Sequence, residues 1–276
     1  MFAKIGLAIT FSPTGKALLK ETLRLQKLFD SQLVLIHVGE RNRETEKLLD
    51  ETIEYAGINK SQLETIWEQG DPANIIINCS KTAKIDLLVA GALEKESFVN
   101  FYRDSVSRKI MRELQTSSLI LKSPSVEPIN FKKFFVSVDY SPRCERTIRT
   151  AFQFALKDNA EEFTVIRDFY MPGLTAAIGE DKSYDEIKSL IDQLKYEEEE
   201  KMKLFIQELN LKGLDIKIVC VYGKEGFEDS NYARNNDADI FAVTGPEHKM
   251  RFLDRLFQHD IEYSFEKLPS NLLIVR

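Results

Sequence analysis

Short apolar runs alternate along this chain with longer stretches whose apolar residues recur at helical spacing. Ile5–Ile9 and Phe134–Val138 have the length and continuity of strands buried on both faces. Each leads into an aromatic residue and then Ser-Pro, as Phe11-Ser12-Pro13 and Tyr140-Ser141-Pro142. Serine suits a helix N-cap, and proline suits the first helical position, where its missing N–H costs nothing. Beyond these starts, Ile148, Ala151, Phe152 and Ala155 fall at i, i+3, i+4 and i+7, and Leu18, Leu25 and Phe29 mark a similar face. Gln32–Val38, Glu64–Glu68, Glu162–Tyr170 and Lys217–Tyr222 read as further strands. A polar helical stretch containing Glu197 to Glu200 reads as a solvated helix face. Strand–helix alternation predicts a parallel sheet covered by helices on both sides, with right-handed crossovers.

The pattern is written twice. Lys4 to Pro13 matches Lys133 to Pro142, about 129 positions later. Asp86–Gly91 resembles Asp239–Gly245, and Ser118–Leu121 resembles Asn271–Ile274, at an offset of about 153. The larger offset calls for roughly 25 extra residues in the second copy, which we place at Met171–Lys195. Between the copies, Ser123-Pro124-Ser125-Val126-Glu127-Pro128 has the composition of a linker. The expected organisation is two tandem Rossmann-like α/β domains, 1–124 and 129–276. Each is expected to be a five-stranded, mostly parallel sheet with helices on both faces.

Composition narrows the function classes. The 276 residues carry a formal charge of -6, without the clustered Lys and Arg that displace counterions from nucleic acid. No apolar stretch approaches the roughly 20 residues of a membrane span. The opening MFAKIGLAIT reads as a strand, not as a secretory signal. Cys79, Cys144 and Cys220 stand far apart with no CxxC pair, which argues against a disulfide framework or structural zinc and fits a reducing cytoplasm. The P-loop and the G-x-G-x-x-G fingerprint are missing. No set of nucleophile, base and oxyanion donor emerges either.

In parallel α/β sheets a ligand sits beyond the carboxyl ends of the strands. Those positions are Thr10–Ser12, His37–Gly39 and Gly91–Glu94 in the first copy, and Asp139–Ser141, Asp168–Tyr170 and Thr244–His248 in the second. Through these positions and the motifs around them, the chain resembles the universal stress protein family, as a tandem of two such domains. The resemblance rests on the strand–x–x–Ser openings, on Gly70-Asp71-Pro72, on Asp86-Leu87-Leu88-Val89-Ala90-Gly91, and on Ser105 to Arg112 leading to Ser118–Leu121. It implies an adenine nucleotide α-hydrolase-like fold. It also implies pairing of the last strands, Ser118–Leu121 with Leu272–Val275, so that the fused pair forms an internal pseudo-dimer; a further homodimer is open. Family members that bind ATP read adenine with an Asp after the first strand. They hold phosphates on a loop G-x2-G-x9-G-S/T after the fourth.

In the first copy Gly91 holds the first glycine position and Ser105 the hydroxyl position, but Glu94 and Asp104 replace the later glycines and Thr10 replaces the Asp. Like charges about 4 Å apart cost about 4 kcal/mol at an effective dielectric near 20, so this loop disfavours polyphosphate. The second copy keeps Asp139, flanked by Val138 and Ser141. Either Thr244 or Gly245 matches Gly91; Pro246, Glu247 and His248 follow, and no glycine comes after Gly245. We therefore expect a cytoplasmic stress-response binding or adaptor protein without turnover, needing no cofactor, with unidentified protein partners and no nucleic-acid or membrane ligand. The alternative is an adenine-nucleotide sensor holding ATP or AMP in the second copy.

Each candidate has a plainer reading. Asp139 can be a local hydrogen-bonder at a turn. Ser12 and Ser141 read as N-caps, with no G-x-S-x-G elbow around either. His37 reads as a buried or edge histidine, Trp67 as packing, and Cys79 and Cys220 as inert core. His248 and His259 are weighed as zinc ligands, and Lys249, Arg251 and Arg255 as anion contacts, against a solvated helix. Pro172, Leu174, Ile178 and Ile187 of the insertion either cover the sheet edge or border an apolar ligand.

Overall fold

The computed structural model describes residues 1–59, 63–92, 106–170, 184–223, 226–245 and 268–276. The first half runs β1 (Lys4–Ala8), α1 (Pro13–Phe29), β2 (Gln32–Val38), α2 (Arg43–Ala56), β3 (Glu64–Glu68), α3 (Pro72–Thr82), β4 (Leu87–Gly91), α4 (Val106–Glu113) and β5 (Ser117–Leu121). The second runs β6 (Lys133–Ser137), α5 (Pro142–Lys157), β7 (Glu162–Phe169), α6 (Tyr184–Glu208), β8 (Ile216–Tyr222), α7 (Glu228–Asn235), β9 (Ile240–Thr244) and β10 (Asn271–Val275).

All ten strands form one sheet, in the order β3-β2-β1-β4-β5-β10-β9-β6-β7-β8. The two five-stranded sheets expected from the sequence are its two halves. Every neighbouring pair is parallel except β5 and β10, which meet antiparallel with Leu119 opposite Leu273. The last strands are thus the junction, as the family resemblance implied. Their ends bond across it. Lys122 N donates to Asn271 Oδ1 at 2.9 Å, and Arg276 N donates to Ser117 Oγ at 3.1 Å. Lys122 Nζ donates to the Leu268 carbonyl, and an Arg276 Nη donates to that of Met111.

Duplicated residues hold duplicated joints. Asp86 Oδ2 accepts from the backbone N–H groups of Ala3 and Lys4, both at 2.9 Å. Asp239 Oδ2 accepts from those of Lys132 and Lys133, at 2.6 and 2.9 Å. Each carboxylate ties the start of one inner strand to its neighbour, so this part of the repeated motif serves the fold. Pro13 and Pro142 open their helices. Ser141 Oγ caps α5 by accepting from Cys144 N at 3.1 Å. Ser12 occupies the equivalent position, yet its hydroxyl bonds Thr10 and Thr14 instead, so it is an N-cap by backbone alone.

The second copy's extra length shows in α6, 25 residues against 14 for its counterpart α2. Ile187 lies on α6, whereas Pro172, Leu174 and Ile178 fall outside the described residues. The reading of Glu197–Glu200 as solvated needs one correction. Glu198 turns inward, where its Oε1 accepts from Tyr140 Oη at 2.8 Å and pairs with Arg167 at 3.5 Å.

On one face of the sheet α1 and α5 lie together across the junction, with the rings of Phe29 and Phe154 edge to face at 4.9 Å. Beside them Arg24 bonds Asp158 at 2.5 Å and Glu21 at 2.8 Å, and stacks over Phe131 at 4.6 Å. Asp158 is fully buried and also accepts from Phe131 N at 2.9 Å. Burial pushes the Glu21 carboxyl up from its usual range. Removing the cation leaves two carboxyls in apolar surroundings, a loss on the order of 3–5 kcal/mol for a broken buried pair. Arg24→Leu should therefore lower unfolding stability by several kcal/mol in urea titrations, whereas Arg41→Leu at an exposed pair should cost under about 1 kcal/mol.

Candidate functional site

The strand registers superimpose the two copies and remove the ambiguity at the fourth strand. Gly91 pairs with Leu121 on β5, and Thr244 pairs with Val275 on β10. One residue on, Ala92 N donates to the Leu121 carbonyl and Gly245 N to the Val275 carbonyl, both at 2.8 Å. Thr244 is therefore the counterpart of Gly91, and Gly245 that of Ala92.

The first copy opens a cavity of about 650 Å³ at the carboxyl ends of β1, β2 and β4. Ala8, Leu18, Ile36, Val38, Ile76 and Ile110 are among its walls, and among the described residues none of the lining side chains is charged. Thr10, Ser12 and Thr14 place a row of hydroxyls on it, joined Thr10–Ser12 and Ser12–Thr14 at 2.8 Å each. Ser107 Oγ donates to the Gly91 carbonyl at 3.2 Å. A Cβ on Gly91 would lie 2.9 Å from Leu18 Cδ1, so the missing side chain makes room for leucine.

The second copy treats the same positions differently. Thr147 stands where Leu18 stands, and its hydroxyl bonds that of Thr244 at 3.0 Å. Leucine against glycine has become threonine against threonine, with volume moved from α1's counterpart to the strand. Arg143, the counterpart of Thr14, donates to the Gly245 carbonyl. A Cβ on Gly245 would meet Arg276 Cγ at 2.6 Å and the Val275 carbonyl oxygen at 3.0 Å. Burial, and then the charge of Arg143, hold the Arg276 guanidinium down to about 10. Asp139 is exposed, and its Oδ1 accepts from Ser141 N at 2.9 Å, the local turn contact. Val138 is buried, and its carbonyl accepts from Arg167 at 3.2 Å. Asp139, Val138, Ser141, Thr244 and Gly245 thus gather around the start of α5 and the end of β9. Gly91 lies in the other half, and Ser105, Glu94 and Asp104 lie outside the described residues, as do Pro246 to His248, His259, Lys249, Arg251 and Arg255.

Three wall positions change chemistry outright. Ala8 corresponds to Ser137 and Val38 to Asp168 by strand register. Ile76 corresponds to Asp229, counting back from the left-handed residues Lys84 and Asp237 that close α3 and α7. Asp168 and Asp229 are both buried. Asp168 Oδ2 accepts from Gly226 N and Asp229 Oδ1 from Ser230 N, each at 2.5 Å. Burial and then the Asp168 charge push the Asp229 carboxyl up to about 7, against the lowering effects of Ser137, Ser230 and Arg167. The sequence offered both aspartates but not their meeting; a position-by-position comparison of the copies is the signal that finds them.

For His37, Trp67 and the cysteines the plain readings hold. His37 is buried, with Nδ1 3.1 Å from the Ile9 carbonyl, stacked on Phe11 and edge-on to Trp67. Burial holds its imidazole below the usual range. Arg167 replaces it in the second copy and serves the equivalent carbonyl, that of Val138. Trp67 also donates to the Gly39 carbonyl at 2.9 Å. All three cysteines are buried, and burial pushes the thiols of Cys144 and Cys220 up to about 12, far from reactive thiolates. Among the described residues no three His, Cys, Asp or Glu side chains gather as for a metal ion, and no helix is long and apolar enough to cross a membrane.

The fold is an α/β module present twice. Residues 1–122 match the model of the universal stress protein family. Solved structures extend the fold to the whole chain. A universal stress protein of Pseudomonas aeruginosa is 16% identical with a TM-score of 0.68, over 99% of this chain and 93% of its own. One from Archaeoglobus fulgidus is 16% identical with a TM-score of 0.65, over 99% and 98%. No curated protein matches the chain.

Two expectations follow from the paired copies. Thr147→Leu alone should crowd Thr244 and destabilise, while adding Thr244→Gly should restore stability by rebuilding the first copy's arrangement. A double-mutant cycle should read a coupling of about 0.5–3 kcal/mol, and additivity would refute the link. Asp229 titrates near 4 when unfolded and higher when folded, so between these values the folded state holds the extra proton and stability falls as pH rises. Denaturation between about pH 4 and pH 8 should show this slope, and Asp229→Asn should flatten it.

Proposed function

We propose that this protein is a stress-response binding or adaptor protein that performs no turnover, with phosphate-binding loops degraded in both halves. The observation that carries the reading is the packing at the first position of the loop. In the first copy Leu18 occupies the space beside Gly91, and in the second Thr244 has replaced the glycine and bonds Thr147. Backbone N–H groups cradle phosphate only where no side chain blocks their approach. The sequence adds Glu94 and Asp104 to the first loop and Pro246 and Glu247 to the second. The residues present therefore fit a triphosphate poorly in either half.

The fused halves satisfy within one chain a contact that single-domain proteins of this architecture would need a second chain to make. That leaves the outer surfaces for protein partners, in keeping with a cytoplasmic adaptor. The domains proposed for this role are 1–124 and 129–276. A rival assignment keeps adenine recognition at Asp139, whose carboxylate stands exposed at the strand end.

Calorimetry with ATP and AMP on the wild type and on Asp139→Ala separates the two. The expected result is no saturable heat with either nucleotide at micromolar concentrations, and no phosphate release on long incubation with ATP. Tight binding abolished by Asp139→Ala would establish a nucleotide sensor in the second half instead.

A further inference from the structure

We infer that the cleft of the first half binds an uncharged, mostly apolar small molecule. The inference rests on the binding-protein reading above and names the ligand class of one of its sites. A volume of about 650 Å³ lies within the roughly 300–1,000 Å³ that holds a small organic ligand. The walls decide the chemistry. Ala8, Ile36, Val38, Ile76, Ala90 and Ile110 offer dispersion contacts and no charge. A charged ligand against these apolar walls would lose hydration that they cannot replace.

The polar side of the cleft is a row of hydroxyls, not ions. Thr10, Ser12 and Thr14 both donate and accept, so they suit a hydroxyl, carbonyl or amide at one end of the ligand. The sister cleft sharpens the contrast. There the counterparts of Ala8, Val38 and Ile76 are Ser137, Asp168 and Asp229, and that of Thr14 is Arg143. One fold therefore carries charged side chains in one half at positions that are apolar in the other.

The test titrates the full chain with N-phenyl-1-naphthylamine, an uncharged dye whose emission rises in apolar surroundings. Saturable binding of one dye per chain is expected, undisturbed by excess ATP. Ala8→Leu and Ala92→Leu fill the cleft from two sides, and each should weaken binding about tenfold or more. Val38→Thr keeps the volume and adds a hydroxyl; it should weaken binding severalfold while melting and circular dichroism stay native, so a folding defect cannot imitate the result. No saturable binding, or binding unchanged in all three variants, would overturn the inference. Displacement of the dye by ATP would also overturn it, by making the cleft a nucleotide site, and would overturn with it the reading of degraded phosphate loops while leaving the absence of turnover untouched. Phosphate release from ATP would instead overturn that broader reading.

Discussion

The antiparallel meeting of β5 and β10 is the constraint on which the rest of the molecule depends. A parallel five-stranded half would end in a strand with one row of unsatisfied N–H and C=O groups, an invitation to associate. Every residue of β5 is buried, and so are Leu272 to Val275 of β10, which is possible only because each strand covers the other. The pairing also brings α1 and α5 side by side, so that Arg24 of one half must meet Asp158 of the other. Once buried, that pair resists separation, since neither charge can be left alone in the core. α1 then has two duties. Its middle seals the junction, while its first turns supply Thr14 and Leu18 to the cleft.

The halves agree wherever the sheet needs a particular atom in a particular place. Asp86 and Asp239 make the same pair of backbone bonds. The carbonyls of Ile9 and Val138 are each met by a nitrogen from the neighbouring strand, from imidazole in one case and guanidinium in the other. That exchange carries its surroundings with it. His37, its imidazole held below the usual range by burial, stacks within Phe11 and Trp67, whereas Arg167 brings Glu198 and the ring of Tyr140. A cation in the second half thus demanded an acid from α6, and Glu198 left the solvated face that its neighbours keep.

Much of this was legible before any coordinates. The duplication announced itself because strand periodicity and Ser-Pro starts survive drift in individual side chains: Lys4–Ala8 and Lys133–Ser137 share a pattern more than an identity. The junction was legible only through the family resemblance, because apolar strands such as Ser117–Leu121 do not say which neighbour they take. The buried acids were not legible at all. Asp168 ends a strand and Asp229 opens a short helix some sixty positions later, and each alone reads as a surface residue. Their encounter is a tertiary fact, set by β7 and α7 packing together. Glu198 was misread for the same reason, since an acidic run on a helix has an outward face and an inward one, and only the partner Arg167 tells them apart.

Fusion of the two modules explains why their clefts differ. In a dimer of identical chains, any residue chosen for one cleft appears in both. A polar wall then cannot coexist with an apolar one. Joining the copies in one chain lifts that condition while keeping the interface. Leu18 with Gly91 and Thr147 with Thr244 are two self-consistent solutions to one packing problem, and each works only as a pair. A single exchange between copies would leave either a crowded or an underfilled contact. The apolar wall of one half and the buried acids of the other are outcomes of that freedom, built on a shared backbone.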